Sequence, residues 1–255
     1  KIGDEITINV TTPNNATLSV TINGVEKTVS DGKVTFIPSV AGIYNIIAKT
    51  NETADYFPDT AFASFEVGKK VAEITITDID PKMVDDDVVV EVLSYVGADI
   101  VVYIDGVKQT LTDGNVTVKA TAGTHTIVAS VAETDEYLSA SANKTFTVSK
   151  YDVSISVSGT PVFVGEKSII TVETNAGEGV VVIKIEGNEY SLNLSDGNAI
   201  EVVMPNAGTV NVTAKYLENN KYNANEAESA IEVSVKQKPS IIIEVSDVAI
   251  VNDEM

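Results

Sequence analysis

YIDGVKQTLTDGNVTV, residues Tyr103 to Val118, holds two Asp-Gly pairs, Asp105-Gly106 and Asp113-Gly114, eight residues apart. Apolar and polar residues alternate beside them: Val116, Val118 and Ala120 fall on one face, Thr117 and Lys119 on the other. That two-residue period is the mark of a half-buried strand. An Asp-Gly pair between alternating runs suits a tight hairpin turn, whose central residues take positive φ. Elsewhere Asp105-Gly106 becomes Asn23-Gly24 and Glu186-Gly187, while Asp113-Gly114 recurs as Asp31-Gly32 and Asp196-Gly197. At the first position the glycine persists while the acid is exchanged for an amide, which would cost a cation site its charge. Both pairs therefore read as turns.

Those recurrences belong to a threefold repeat. Ala41-Gly42, Ala122-Gly123 and Ala207-Gly208 begin at positions 81 and 85 residues apart. Two residues beyond each Gly stand Tyr44, His125 and Val210, followed by Ala48, Ala129 and Ala214, then Tyr56, Tyr137 and Tyr222, then Val67, Val148 and Val233. Self-similarity at a fixed period is the signature of a tandem array. Val, Ile and Thr dominate, turn residues recur at short intervals, and no long segment keeps a 3.6-residue period. About seven short strands per unit make a β-sandwich. In the middle unit strands are expected over 71–78, 88–94, 99–104, 108–112, 115–121, 124–132 and 143–148.

The expected organisation is all-β, with tandem β-sandwiches end to end: repeat 1 over 1–70, repeat 2 over 71–150 and repeat 3 over 151–238. Repeat 1 lacks its first strand, and 240–245 supplies one in residues 239–255. That segment begins a further repeat or completes repeat 3. The phase stays open because Ile2 to Glu5, Val164 to Lys167 and Val251 to Glu254 also correspond. The chain is thus expected to come from a longer array. Units adjoin through Gly68-Lys69-Lys70, Ser149-Lys150 and 236–239, leaving little length for a flexible linker. A ten-residue strand spans about 33 Å, so three sandwiches in line would make a rod on the order of 100 Å.

Composition narrows the function classes. With 255 residues, 44% of them hydrophobic, packed cores are attainable. Seventeen basic residues, all Lys, stand against 37 acidic ones, for a formal charge of −20. Such a field repels a polyanion, so nucleic acid is not an expected partner. Cys and Trp are absent, which removes disulfides, thiolate nucleophiles and Cys-ligated metals. No signal peptide opens the sequence and no apolar run approaches the roughly 20 residues of a membrane span. Membrane contact by these residues is not expected; any export or anchoring segments of a parent protein would lie outside them.

The pattern Ala-Gly-x-x-x-[Ile/Val]-x-Ala, written AGIYNIIA, AGTHTIVA and AGTVNVTA, combines with Tyr56, Tyr137 and Tyr222 and the endings SFEV, TFTV and IEVSV. It resembles the bacterial-type immunoglobulin-like repeats of large prokaryotic surface proteins, and most of all the adhesin-like proteins of methanogenic archaea. The resemblance covers nearly the whole chain. It implies an extracellular, cell-surface protein whose repeats serve as stalks, adhesive modules or wall spacers. The Cys pair and core Trp of antibody domains are missing.

No catalytic, cofactor-binding or metal residue is assigned. His125, the single His, occupies a place held by Tyr44 and Val210 elsewhere and reads as a strand filler. An enzyme is not expected, because no nucleophile-base pair or carboxylate cleft can be assembled. Tyr56, Tyr137 and Tyr222 follow polar loops and read as edge-covering rings resembling a tyrosine corner; the alternative is an aromatic platform for sugars. The sharpest metal candidate is TDIDPKMVDDD, with Asp78, Asp80, Asp85, Asp86 and Asp87, whose oxygens suit Ca²⁺ although their spacing is not that of the helix-loop-helix calcium loop. The plainer reading is a solvated acidic turn. Asn-x-Ser/Thr triplets begin at Asn9, Asn15, Asn51, Asn115, Asn143, Asn193 and Asn211, a modest excess that glycans could use. A Lys-Asn or Lys-Asp isopeptide staple is conceivable, yet no trio of residues announces one. The expected function is a non-enzymatic stalk projecting a binding region from the envelope. The alternative is repeats that themselves bind a glycan, cell-wall polymer or partner protein, on host or microbial surfaces.

Overall fold

The computed structural model describes residues 1–12 and 16–244. Among them every regular element is a strand. The first sandwich has β1 (Ile6–Asn9), β2 (Leu18–Ile22), β3 (Val25–Lys27), β4 (Lys33–Phe36), β5 (Gly42–Thr50) and β6 (Asp59–Val67). The second has β7 (Ile74–Ile76), β8 (Lys82–Met83), β9 (Asp87–Ser94), β10 (Ile100–Ile104), β11 (Val107–Gln109), β12 (Asn115–Lys119), β13 (Gly123–Val131) and β14 (Ala140–Ser149). The third has β15 (Ile155–Gly159), β16 (Val162–Phe163), β17 (Lys167–Thr174), β18 (Val180–Ile185), β19 (Asn188–Asn193), β20 (Ala199–Val203), β21 (Gly208–Tyr216) and β22 (Asn225–Ser234). By compactness the chain divides into two units, Lys1–Ser149 with the first two sandwiches and Lys150–Met255 with the third.

Sheet orders repeat. The second sandwich pairs β12-β9-β7 against β11-β10-β13-β14-β8, and the third pairs β15-β17-β20 against β16-β22-β21-β18-β19. Among the described residues the first has β1-β4 against β3-β2-β5-β6. All ladders are antiparallel except β8 on β14 and β16 on β22. These tandem immunoglobulin-like sandwiches keep alternate residues inside. On β9, Val88, Val90 and Val92 are buried while the residues between them are exposed. The third core is the most extensive, with Ile170, Ile183, Met204, Tyr216 and Ile231 closed to solvent.

Two expectations change. The strand expected over 71–78 is shorter, and its continuation, β8, crosses to the opposite sheet. Pro81 and Pro161 stand immediately before β8 and β16; a residue with no N–H cannot extend a ladder, so the chain changes sheets there. The strand expected over 240–245 is not formed in its described part: 240–244 has no ladder partner, and 245–255 lies outside the described residues.

The turns follow their chemistry. Asn23-Gly24 and Asp105-Gly106 have φ of 49° and 79°, and 50° and 79°, the double positive φ of a type I′ hairpin. Glu186 is forced to φ 46° before Gly187. Its Oε1 accepts the Asn206 amide at 3.2 Å, an exposed bond in place of the main-chain bond that the shorter Asn23 and Asp105 make from this conformation. Glu186→Asn is therefore expected to stabilise the third sandwich by about 0.5 kcal/mol, read as a shift in its urea midpoint.

Candidate functional site

His125 and Asp105 come together although 20 residues separate them. The β10–β11 turn brings Asp105 beside β13, where its Oδ1 accepts the Thr126 N–H at 2.8 Å. Asn23 does the same with the Asn45 N–H at 2.8 Å, which is why an amide replaces the acid there. In the second sandwich the other oxygen, Oδ2, lies 2.6 Å from His125 Nδ1, and His125 Nε2 lies 2.7 Å from the Thr121 carbonyl. The ring is 9% exposed and stacks on Phe146 at 5.1 Å. Asp105 and then the Thr121 carbonyl push the imidazole pKa up, against the opposing effect of burial. His125 Nδ1 and Nε2 both face acceptors, so the arrangement holds a charged ring in place and leaves it no free nitrogen for acid-base work. Asp105 is thus a turn residue and His125 a strand filler, as their positions in the repeat imply, but the contact between them is an addition that the sequence reading lacks.

The acidic run 78–87 does not converge. Lys144 reaches the Asp78 carboxylate, holding it below the usual range, and also donates to the Ile76 carbonyl at 3.0 Å. Asp86 Oδ2 accepts the Met83 N–H at 2.9 Å, and Asp87 lies 3.4 Å from Lys119 Nζ. Asp85 takes φ 71° in the turn. Among the described residues no group of three or more His, Asp or Glu could hold a metal ion. The Lys144–Asp78 pair ties the first strand of this sandwich to its last without a covalent bond.

The three recurring tyrosines sit in one turn motif. The N–H groups of Thr53, Thr134 and Asn219 donate to the carbonyls of Tyr56, Tyr137 and Tyr222. In the second and third sandwiches the ring covers the segment that leads into the first strand: Lys70 Nζ lies 5.5 Å from the Tyr137 centroid, and the Tyr151 ring lies 5.9 Å from Tyr222. Tyr56 has no such neighbour among the described residues and is 55% exposed. Hydroxyl-to-carbonyl bonds run instead from Tyr44 to Val40 at 2.9 Å and from Tyr216 to Glu178 at 2.8 Å. Of the Asn-x-Ser/Thr sites, Asn9, Asn51, Asn143, Asn193 and Asn211 are exposed and Asn115 is half-buried, whereas Asn15 lies outside the described residues.

No protein-family model and no curated protein matches the chain. Among solved structures it is similar to an I-band fragment of titin, at 13% identity over 92% of this chain and 94% of that one, with a TM-score of 0.32. Sidekick-1 immunoglobulin domains match at 16% identity over 92% and 56%, with a TM-score of 0.33. The fibronectin(III)-like modules of CbhA from Clostridium thermocellum match at 11% identity over 67% and 100%, with a TM-score of 0.30.

Proposed function

We propose that this chain is a non-enzymatic, extracellular spacer: a semi-rigid stalk segment of an adhesin-like surface protein that holds a binding region away from the envelope. The observation that carries the reading is the bonding at the junction around Gly68. The Gly68 carbonyl accepts the Ile2 N–H of the first sandwich at 3.1 Å. Two residues later the Lys70 N–H donates to the Glu136 carbonyl of the second at 2.8 Å. Lys69 Nζ also reaches the Thr134 carbonyl at 2.6 Å and Glu133 at 2.7 Å. A junction fixed on both sides has no slack, and a spacer needs joints that transmit position. The charge of −20 keeps such segments mutually repelling. Small-angle scattering is expected to give an extended particle whose maximum dimension is on the order of 100 Å. A compact particle, or one whose units bend freely, would count against the stalk.

A binding role for the repeats themselves draws on Phe62 and Tyr95, whose rings are 75% and 85% exposed. Exposed aromatic faces can stack on sugars. Saturable binding on a glycan array, abolished by Tyr95→Ser, would replace the spacer reading with this one.

A further inference from the structure

One row of side chains crosses the outer face of the sheet β11-β10-β13-β14 in the second sandwich. Lys108 lies opposite Tyr103, Tyr103 opposite Val128, and Val128 opposite Asn143. Around this row the face is polar: Thr124, Thr126, Ser141 and Thr145 are all exposed. Tyr103 and Val128 interrupt it, 38% and 41% open to solvent. The fold does not require apolar residues there. The matching row of the third sandwich, Glu189, Lys184, Thr213 and Glu228, is polar throughout, and Lys184 pairs with Glu189 at 2.8 Å.

Asn143 ends the row and opens the triplet Asn143-Lys144-Thr145. The first and third residues of a strand triplet share a face, so the amide and the hydroxyl both point outward, whereas Lys144 Nζ turns away to the Ile76 carbonyl and Asp78. Asn143 is exposed, and among the described residues its amide has no hydrogen-bond partner. Other triplets are placed differently. The Asn115 amide donates to the Asp113 carbonyl at 3.1 Å, Asn193 Oδ1 accepts the Ser195 hydroxyl at 2.9 Å, and Asn9 and Asn211 lie opposite Lys33 and Ala230. At Asn143 the strand is also an open edge: among the described residues β8 pairs only with Val148 and Ser149 of β14. On the matching edge β22 carries Glu226 and Glu228, charges of the kind that discourage edge-to-edge pairing. β14 has Ser141 and Asn143 at those places, and its one charged residue, Lys144, is engaged by Asp78.

We propose that Asn143 carries an N-linked glycan whose first sugars lie across β13 and β10, over Val128 and Tyr103. The inference rests on the extracellular reading, since such triplets are glycan acceptors in secreted proteins. Neighbouring strands lie about 4.8 Å apart, so Tyr103 stands about 10 Å from Asn143 along the row, within the span of the first two sugars. The phenol ring offers its face to the C–H side of a sugar, and Val128 fills the space between. Attachment joins Asn143 Nδ2 to the anomeric carbon of the first sugar. The bond from that carbon to a phosphate oxygen of a lipid-linked donor breaks, the phosphate leaves with the electron pair, and the amide proton passes to a base of the transferase. A bulky solubilising group then covers the edge that β22 guards with carboxylates.

Site-resolved mass spectrometry tests this on the full chain, isolated from the cells that make it after intact cells are labelled with a membrane-impermeant amine reagent. The expected result is a sugar mass on Asn143 of the labelled chain, lost in Asn143→Gln and in Thr145→Val and kept in Thr145→Ser. Tyr103 should react severalfold more slowly with tetranitromethane in the modified chain than in Asn143→Gln, while Tyr95, which lies outside the row, reacts equally in both. A labelled chain with a bare Asn143 overturns the glycan and leaves the spacer reading standing; an unlabelled chain with a bare Asn143 overturns both. A sugar on Asn143 of an unlabelled chain upholds the glycan and removes the surface location instead. Equal nitration of Tyr103 in the two forms overturns the placement of the sugars over the row.

Discussion

Gly179→Ala is expected to cost the third sandwich roughly 3 kcal/mol, which lowers its melting temperature by on the order of 15 °C for a unit of this size. Two physical terms add. Gly179 has φ 112°, a conformation that an L side chain reaches only with strain of about 1–3 kcal/mol. Its missing Cβ is also the space in which Tyr216 lies: a methyl there would stand 2.3 Å from the phenol oxygen and 2.7 Å from Cζ. Overpacking of that kind costs about 1–3 kcal/mol when the neighbour cannot move. Tyr216 is fixed: it is closed to solvent, its hydroxyl donates to the Glu178 carbonyl, and it accepts the Asn219 amide at 2.9 Å. Tyr216→Phe alone loses those bonds for about 1 kcal/mol. In the double variant the collision with oxygen is gone while that with the ring carbons remains. Its cost should therefore fall below the sum of the two singles. Hydrogen exchange in β18 and β21 gives the free energies; a loss under about 1 kcal/mol for Gly179→Ala would show that the loop absorbs the methyl.

The alternating runs placed β9, β12 and β13 with little error because a two-residue period is a local property, set by which face each side chain takes. The Asn-Gly and Asp-Gly hairpins were legible for the same reason: positive φ belongs to the pair itself. The change of sheet at Pro81 and Pro161 was not, because both halves keep an apolar pattern and only the partner strand reveals the crossing. Gly179 was silent in the repeat, since what demands it is the ring of Tyr216, 37 positions away in sequence. Asp105 and His125 carried a faint signal. The single His stands where another repeat has Tyr44, and the repeat that carries it also has an acid, Asp105, at the hairpin turn. Read jointly, those two columns point to a pair; read separately, they give a filler and a turn.

That pair should make the second sandwich less stable at high pH than at mildly acid pH. Both acceptors of His125 are satisfied only by the imidazolium, which donates from Nδ1 to Asp105 and from Nε2 to the Thr121 carbonyl; a neutral ring must leave one of them without a donor. The charged group facing His125 is Asp105, from the β10–β11 turn; the loop before β13 presents only the Thr121 carbonyl, and β14 presents the Phe146 ring. The folded-state pKa of His125 is raised above 6.5, chiefly by the Asp105 bond. Its contribution is thus complete below pH 6.5 and is lost as pH rises through the folded value. Asp105 is lowered below 3.8 by His125 first and the Thr126 N–H second, so its share is present above pH 3.8 and is lost as pH falls through its own folded value. Between those limits the clamp is whole. With the Asp105 side chain about half exposed, its worth is about 1 kcal/mol, less than a buried charged bond. Asp105→Asn separates charge from shape, since Asn23 already makes the same turn and the same main-chain bond. The variant is expected to lose stability near neutral and mildly acid pH, match the parent at about pH 9, and have a flat profile between. His125→Val, which copies Val210 of the third sandwich, should flatten the profile too. Protection of β10 and β13 amides across the pH series is the readout, and an unchanged slope in Asp105→Asn would mean that the pair does not carry the pH dependence.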